Sequence, residues 1–292
     1  MSDYPPVSAC VFIRNTFEGA FCIFESMASL LPFVSDFLVM DLGSTDGTLH
    51  YLEQIAEAND RVRLVHGEFS YQDAGVFATL ANDVIAMCEQ EHVLYYQADE
   101  VWHQDLLLLM AERFARGEFD LRFWRIQYRE NFQKVKWYPQ FVHRCGHRDD
   151  GSFVFTGDGM NTTRYLEPPV CSDYGGEYFT RWGDMGKNGE FDGRGYERQM
   201  ITDISLVGAF LENIPERRRM HAPYWHEPPD IEGVPADQWI VRERQNPNWT
   251  KTESPYDLPR ILKWHVGRTR YELRRELFEA LCQDNTRPLL GL

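Results

Sequence analysis

The first hundred residues alternate short apolar runs with amphipathic stripes. Ser8–Ile13 (SACVFI) has the length and composition of a buried strand. Asn15-Thr16-Phe17-Glu18 follows, a cap-forming residue with a carboxylate three positions later, and reads as a capping box. Phe21, Phe24, Ala28 and Leu31 then recur at helical spacing and give one apolar stripe. Phe37–Met40 (FLVM) reads as a second strand, and Leu49, Leu52 and Ile55 mark a second helix. Val62–Val65 is a third strand, Phe77, Leu80, Val84 and Cys88 stripe a third helix, and His92–Tyr96 (HVLYY) is a fourth strand. This alternation predicts an α/β fold, a parallel sheet with helices on both faces.

After Asp99 the pattern changes. Asp105–Ala115 reads as one more helix, and Asp120–Tyr128 and Val135–Arg144 as aromatic-rich strands. Tyr174–Gly195 is glycine-rich and polar and reads as a mobile loop. Ile201–Leu211 reads as a helix, and His221–Pro259, rich in Pro and Trp, as irregular. Gly267–Cys282 closes the chain as an amphipathic helix with Leu273, Leu277 and Leu281 on one side. No internal repeat or low-complexity tract interrupts this order.

Composition narrows the picture. At roughly 100–200 residues per domain, the 292 residues make one large domain or two modest ones. Hydrophobic residues at 43% are enough for a real core and exclude a wholly disordered chain. Thirty basic against 45 acidic residues give a net charge of −15, which opposes broad non-specific binding to phosphate backbones. Local patches at Arg217-Arg218-Arg219 and at Arg268, Arg270, Arg274 and Arg275 leave room for an anionic partner, DNA included, although long basic side chains also solvate helix faces. Aromatics at 14% fit a pocket for a sugar or nucleotide as well as a packed core. The opening MSDYPPVSACVFIRN has no basic leader before a long apolar run, so no signal peptide is expected. No apolar stretch approaches the ~20 residues that span a bilayer. The six cysteines show no CxxC pair and read as reduced thiols of a cytoplasmic protein.

The chemistry should lie beyond the carboxyl ends of the strands, near the switch in strand order. Two acids stand at such ends. Asp41 follows FLVM, and Asp99 follows HVLYY in Tyr95-Tyr96-Gln97-Ala98-Asp99-Glu100. The turn after Asp41 is Leu42-Gly43-Ser44-Thr45-Asp46-Gly47-Thr48. Its glycines let the backbone turn sharply and approach a ligand, and its hydroxyls and Asp46 suit the cap of the next helix. The pattern is neither GxGxxG nor a P-loop, which removes support for NAD binding and ordinary kinase chemistry. A strand-end carboxylate such as Asp99 suits Mg²⁺ or Mn²⁺, hard cations that take oxygen ligands. A metal hydrolase built on His221, His226, Glu227 and Asp230 would match no common zinc spacing.

Taken together, CVFIRNTFEGA, FLVMDLGSTDGT, GVFATLAND and YYQADE resemble the family 2 glycosyltransferases of the GT-A type, in the same order and at similar spacing. The resemblance runs from about Val7 to Arg144, with a weaker echo in Trp137-Tyr138-Pro139 through His143-Arg144. It implies a GT-A type, Rossmann-like, mostly parallel sheet flanked by helices, with a smaller irregular C-terminal part. Residues 1–145 would form the nucleotide-sugar-binding half and residues 146–292 the acceptor-side half of one continuous domain. The implied donor is a nucleoside diphosphate sugar, a UDP-sugar first, used with a divalent cation, manganese or magnesium.

Carried over from the family, Ile13, Arg14 and Asn15 would lie beside the base. Asp41 would accept a hydrogen bond from uracil or ribose, with Ser44 in the same nucleotide-binding loop and Asp46 supporting it. Gln97-Ala98-Asp99 matches the metal motif with Gln97 in place of its first acid, and Asp99 remains as the metal ligand. Ala81 is a second departure, standing where many members carry a basic residue before the Asn matched by Asn82. Asp173, His226 and His221 compete as further metal ligands. Lys187 or Arg181 would touch the diphosphate from the glycine-rich loop as it closes over the donor. Asp158 is the first choice for the base that deprotonates the acceptor, with Asp184 and Glu177 as rivals. The transfer would proceed with inversion to a hydroxyl of unknown identity, on a glycan, a lipid-linked sugar, a protein or a modified nucleobase in DNA. The alternative is a degenerate relative that binds a nucleotide sugar or glycan without turnover.

Overall fold

The computed structural model of the chain describes residues 4–17, 22–68, 76–98, 100–102, 104–119, 121–129, 134–135, 140–149, 151, 153–156, 161–162, 200–203 and 270–292. Four parallel strands open the fold: β1 (Val7–Ile13), β2 (Asp36–Asp41), β3 (Val62–His66) and β4 (His92–Tyr95). Between them run α1 (Ile23–Leu30), α2 (Thr48–Ala58) and α3 (Val76–Ala86). Beyond β4 come β5 (Glu100–Trp102), α4 (Gln104–Phe114), β6 (Leu121–Arg129), β7 (Lys134–Val135), β8 (Gln140–His147), β9 (Phe155–Thr156), β10 (Asn161–Thr162) and β11 (Met200–Asp203). The described chain ends with α5 (Arg270–Cys282) and α6 (Arg287–Leu290).

The main sheet runs β3-β2-β1-β4-β8-β6-β11-β5, with β7 paired to β6. Strands β4 and β8, β8 and β6, and β11 and β5 are antiparallel, whereas β11 and β6 are parallel. The sheet is thus mixed and mostly parallel in its first half, with helices on both faces, and the expected fold class is borne out.

Side-chain alternation divides the core in two. Val7, Ala9, Val11 and Ile13 of β1 and Phe37 and Val39 of β2 pack on the same face as α1, α2, α4 and α5. Cys10 of β1 and Leu38 and Met40 of β2 point the other way, against Phe77, Leu80, Ala81 and Val84 of α3 and Phe153 and Phe155. Because both faces are covered, β2 is buried at all six residues, and its middle four, Phe37–Met40, read as a continuous apolar run. Asn59, just past α2, donates from Nδ2 to the Leu281 carbonyl at 2.7 Å, and Arg61 pairs with Asp284. These contacts hold the C-terminal helix on the face it shares with α1.

Three expectations need correction. Asn15 does not open a helix: α1 begins at Ile23, Glu18 lies outside the described residues, and Asn15 takes a left-handed backbone, φ 48°. Its side chain is engaged 30 residues away, by Thr45, so a tertiary contact displaces the local motif. Ile201–Leu211 does not begin as a helix, because Met200–Asp203 is a strand between β6 and β5. The β-branched Ile201 and Thr202 suit that pleated position. Finally, β5 follows β4 almost at once, where no strand is expected.

Candidate active site

From β1 the chain moves outward to β2 and β3, then crosses back to the other side of β1 for β4. That reversal opens a crevice at the carboxyl ends of β1, β2 and β4, the place where open α/β sheets bind ligands. Register fixes which residues reach it. Ile13 pairs with Asp41, Cys10 pairs with Tyr95, and the Tyr96 amide donates to the Cys10 carbonyl at 3.1 Å. Three strand ends therefore deliver Ile13-Arg14-Asn15, Asp41 and Tyr96-Gln97 to one edge.

Asp41 is fully buried. Its Oδ2 accepts from the amides of Gly43 at 2.9 Å and Ser44 at 2.8 Å. Gly43 has φ 77°, a left-handed turn that brings both amides onto a single oxygen and that a side chain would strain. The other oxygen, Oδ1, is buried with no hydrogen-bond partner among the described residues. A buried acceptor left open in this way at a strand end suits an N–H or O–H group from a ligand.

The loop from Leu42 to Gly47 is braced against the end of β1. The Leu42 amide donates to the Ile13 carbonyl at 2.9 Å, and the Asn15 amide donates to Ser44 Oγ at 2.8 Å. The Thr45 amide donates to Asn15 Oδ1 at 2.8 Å. Asp46 Oδ1 accepts from the Thr48 amide at 3.0 Å and closes the first turn of α2. Thr16 and Thr48 hydroxyls meet at 3.0 Å beneath the loop. Asn15 and Ser44 are thus fastened to each other beside Asp41, Asp46 is tied to the start of α2, and the loop is set before any ligand arrives.

The turn after β4 is held as firmly. The Glu100 amide donates to the Gln97 carbonyl at 2.9 Å, and the Gln97 amide donates to Glu100 Oε2 at 3.1 Å. Cys22 Sγ lies 3.7 Å from the Ala98 carbonyl, and Ser26 Oγ contacts the carbonyls of Gln97 and Glu100. Glu100 and Arg144 are both fully buried. They form an ion pair in which Nη2 meets Oε1 at 2.7 Å and Nε meets Oε2 at 3.0 Å. In the sequence Arg144 ends a strand and the weaker family echo, and Glu100 ends the YYQADE block, with no site role marked for either. A charged pair inside two apolar strands was the available signal, since such residues are rarely buried unless paired.

A second clamp lies across the sheet. Asn82 Nδ2 donates to the Phe155 carbonyl at 3.0 Å, while its Oδ1 accepts from the Phe155 amide at 2.8 Å. The carboxamide stands in for a neighbouring peptide and ties β9 to α3. His143, also buried, meets the Thr162 hydroxyl at 2.6 Å through Nδ1 and so ties β10 to β8.

The structure brings Ile13, Arg14, Asn15, Asp41, Ser44, Asp46 and Gln97 to the same sheet edge. Asp99, Asp158, Asp173, Lys187 and His226 lie outside the described residues, as do His221, Arg181, Glu177 and Asp184. Among the described residues no group of three or more His, Cys, Asp or Glu side chains comes together as a metal cage. Glu100 is not available as a ligand, because its carboxylate is committed to Arg144 and Gln97. The described cysteines, Cys10, Cys22, Cys88, Cys145 and Cys282, carry free thiols. Among the described residues no helix is long and apolar enough to cross a membrane.

A family model described as glycosyl transferase family 2 matches residues 23–175, more than half of the chain. The chain belongs to that family. It is similar to TarS of S. aureus at 21% identity and a TM-score of 0.32, over 43% of this chain and 21% of that one, so the match spans about a fifth of that chain's length. Against the 1–349 portion of S. aureus TarS the match covers 98% of this chain and 83% of that one, at 12% identity and a TM-score of 0.38. A mannosyltransferase from Pyrobaculum calidifontis, solved with GDP-Man and Mn²⁺, covers 99% and 74% at 13% identity and a TM-score of 0.36. Glucosyl-3-phosphoglycerate synthase from Mycobacterium tuberculosis, solved with Mn²⁺ and UDP, covers 42% and 44% at 19% identity and a TM-score of 0.31. No curated protein matches the sequence.

Proposed function

We propose that this chain transfers a sugar from a nucleoside diphosphate sugar, a UDP-sugar first among them, to a hydroxyl acceptor, with inversion. The observation that carries the reading is the open buried oxygen of Asp41 at the strand switch. Uracil N3–H and the ribose hydroxyls are donors of the kind that oxygen lacks. Arg14 and Asn15 flank the base at the neighbouring strand end, and Ser44 and Asp46 keep the loop rigid, so little ordering cost falls on binding. Residues 1–145 supply this donor half and residues 146–292 the acceptor side.

Asp99, two residues after Gln97 in the sequence, would hold a divalent cation through oxygen. Asp173 and His226 are the further candidate ligands. When bound, such a cation supplies neutralisation of charge on the leaving diphosphate. Gln97 offers a neutral amide where the family motif has an acid, which keeps the ribose side of the site uncharged. Lys187 is positioned in the sequence to add a positive charge toward the phosphates. Asp158 is the proposed base: its carboxylate takes the acceptor's proton as the hydroxyl oxygen attacks the anomeric carbon in line with the departing diphosphate. Base assistance of this kind is worth about 10²–10⁴-fold. The anomeric centre develops oxocarbenium character during the transfer.

Gln97 favours one second reading, a relative that binds a nucleotide sugar without turning it over. Release of UDP from UDP-sugars with Mn²⁺ separates the two. Slow release that Asp99→Ala abolishes supports transfer, whereas tight donor binding without any release, across a panel of acceptor sugars, supports the binding-only reading.

A further inference from the structure

We infer that the buried Glu100–Arg144 pair is a positioning device that sets the Gln97–Glu100 turn against the diphosphate half of the donor. The inference rests on the nucleotide-sugar reading above and extends it to residues that do not themselves reach the crevice.

Both side chains are fully buried, one at the start of β5 and the other on β8, and they are 44 residues apart in sequence. Two charges in a core are costly to desolvate, and an apolar pair of similar volume would often be as stable or more so. Stability alone is therefore a weak reason for their presence. What the pair does geometrically is specific. The guanidinium engages both carboxylate oxygens, Oε1 at 2.7 Å from Nη2 and Oε2 at 3.0 Å from Nε. Arg144 is itself fixed, donating from Nη1 to the His143 carbonyl at 3.3 Å and lying 5.6 Å from the centre of the Tyr95 ring. With its carboxylate locked, Glu100 Oε2 accepts the Gln97 amide at 3.1 Å and the Glu100 amide closes back onto the Gln97 carbonyl at 2.9 Å.

The turn between β4 and β5 is thus closed on itself by the side chain of its own last residue, and that side chain is oriented by a cation from a different strand. A planar fork meeting a carboxylate at two points fixes direction as well as distance. The pair is also neutral as a unit, so it holds the turn without adding negative charge next to an approaching diphosphate. A misplacement of about 1 Å in such a turn is enough to cost a large factor in binding or rate.

The test uses the full chain in three forms: wild type, the Glu100→Leu/Arg144→Met double variant and the Arg144→Lys variant. Each is followed by thermal melting without ligand, by calorimetric titration of UDP with Mg²⁺, and by ligand-observed NMR titration of uridine, which lacks the phosphates. The double variant is expected to melt near the wild-type temperature while its UDP affinity falls tenfold or more and its uridine affinity stays within twofold. Arg144→Lys, which keeps the charge and loses the fork, is expected to show the same split in smaller degree. Either variant, folded and binding UDP within twofold of wild type, overturns the inference, as does an equal loss for uridine and UDP, which would make the pair a general prop. If the double variant does not fold, Arg144→Lys decides alone. Failure of the wild type to bind UDP or any other nucleoside diphosphate contradicts the functional reading itself and is a distinct outcome.

Discussion

Replacing Asn82 with alanine removes both hydrogen bonds that tie β9 to α3. The Asn82 carboxamide donates to the Phe155 carbonyl at 3.0 Å and accepts the Phe155 amide at 2.8 Å. Phe155 is only 2% exposed, so water cannot readily replace either contact. A hydrogen bond is worth about 0.5–1.5 kcal/mol net, and each buried group left unmet costs about 1–3 kcal/mol. One face of the site is partly open to solvent relaxation, which gives a total of about 2–4 kcal/mol. At roughly 2–4 °C per kcal/mol for a protein of this size class, Asn82→Ala should melt about 5–15 °C below wild type. Asn82→Asp is the sharper variant. It keeps an acceptor for the Phe155 amide but sets a second carboxylate oxygen against the Phe155 carbonyl, so at about pH 8 it should be at least as unstable as alanine. The assay is urea and thermal unfolding followed by tryptophan fluorescence, with the exposed neighbour Asp83→Ala as a control expected within about 0.5 kcal/mol of wild type. An Asn82→Ala protein within about 1 kcal/mol of wild type, or an Asn82→Asp protein as stable as wild type, would refute the two-point clamp.

Tyr96 is buried with its hydroxyl unmatched among the described residues, and burial pushes that phenol well above its usual range. Tyr96→Phe should therefore be neutral or stabilising by about 1 kcal/mol in urea denaturation, and a loss of more than that would reveal a hidden partner. Gly146→Ala places a methyl 2.7 Å from Cβ and Cγ of the buried Phe153 and should cost about 1–3 kcal/mol in the same assay. Burial first, and then His147, hold His92 below its ordinary value of 6.5 against the pull of Glu91. Neutral His92 thus contributes stability that is complete above about pH 6.5 and lost as the pH falls toward and through its folded value. His92→Phe, which preserves the 3.5 Å stack on Phe119, should flatten the unfolding free energy measured between about pH 7 and about pH 5.

The first half of the fold could be read in the sequence because each element is long enough to carry its own period. Strand β2 is buried on both faces and so its middle four residues appear as an unbroken apolar run, and Leu52 and Ile55 mark the buried side of α2 at helical spacing. Asp41 is visible as the acid that ends the β2 run, and the structure gives it one local use, accepting the Gly43 and Ser44 amides. The features that escaped are those set by distant partners. Asn15–Glu18 has the local pattern of a cap, yet Asn15 is claimed by Ser44 and Thr45, which no local window contains. Strand β5 has three residues and opens on a charge, and the Arg144 guanidinium from β8, far along the chain, pairs with Glu100 there. Residues Met200–Asp203 sit between β5 and β6, two strands from much earlier in the chain, where sheet context outweighs a short helical period.

The most direct measurement is a calorimetric titration of UDP, with Mg²⁺, into the wild-type chain and into Asp41→Asn. That substitution keeps an oxygen for the Gly43 and Ser44 amides and turns the open acceptor into a donor. The account predicts saturable one-to-one binding by the wild type and affinity at least tenfold weaker for the variant. Equal affinity in the two proteins, or no heat with any nucleoside diphosphate, would contradict it.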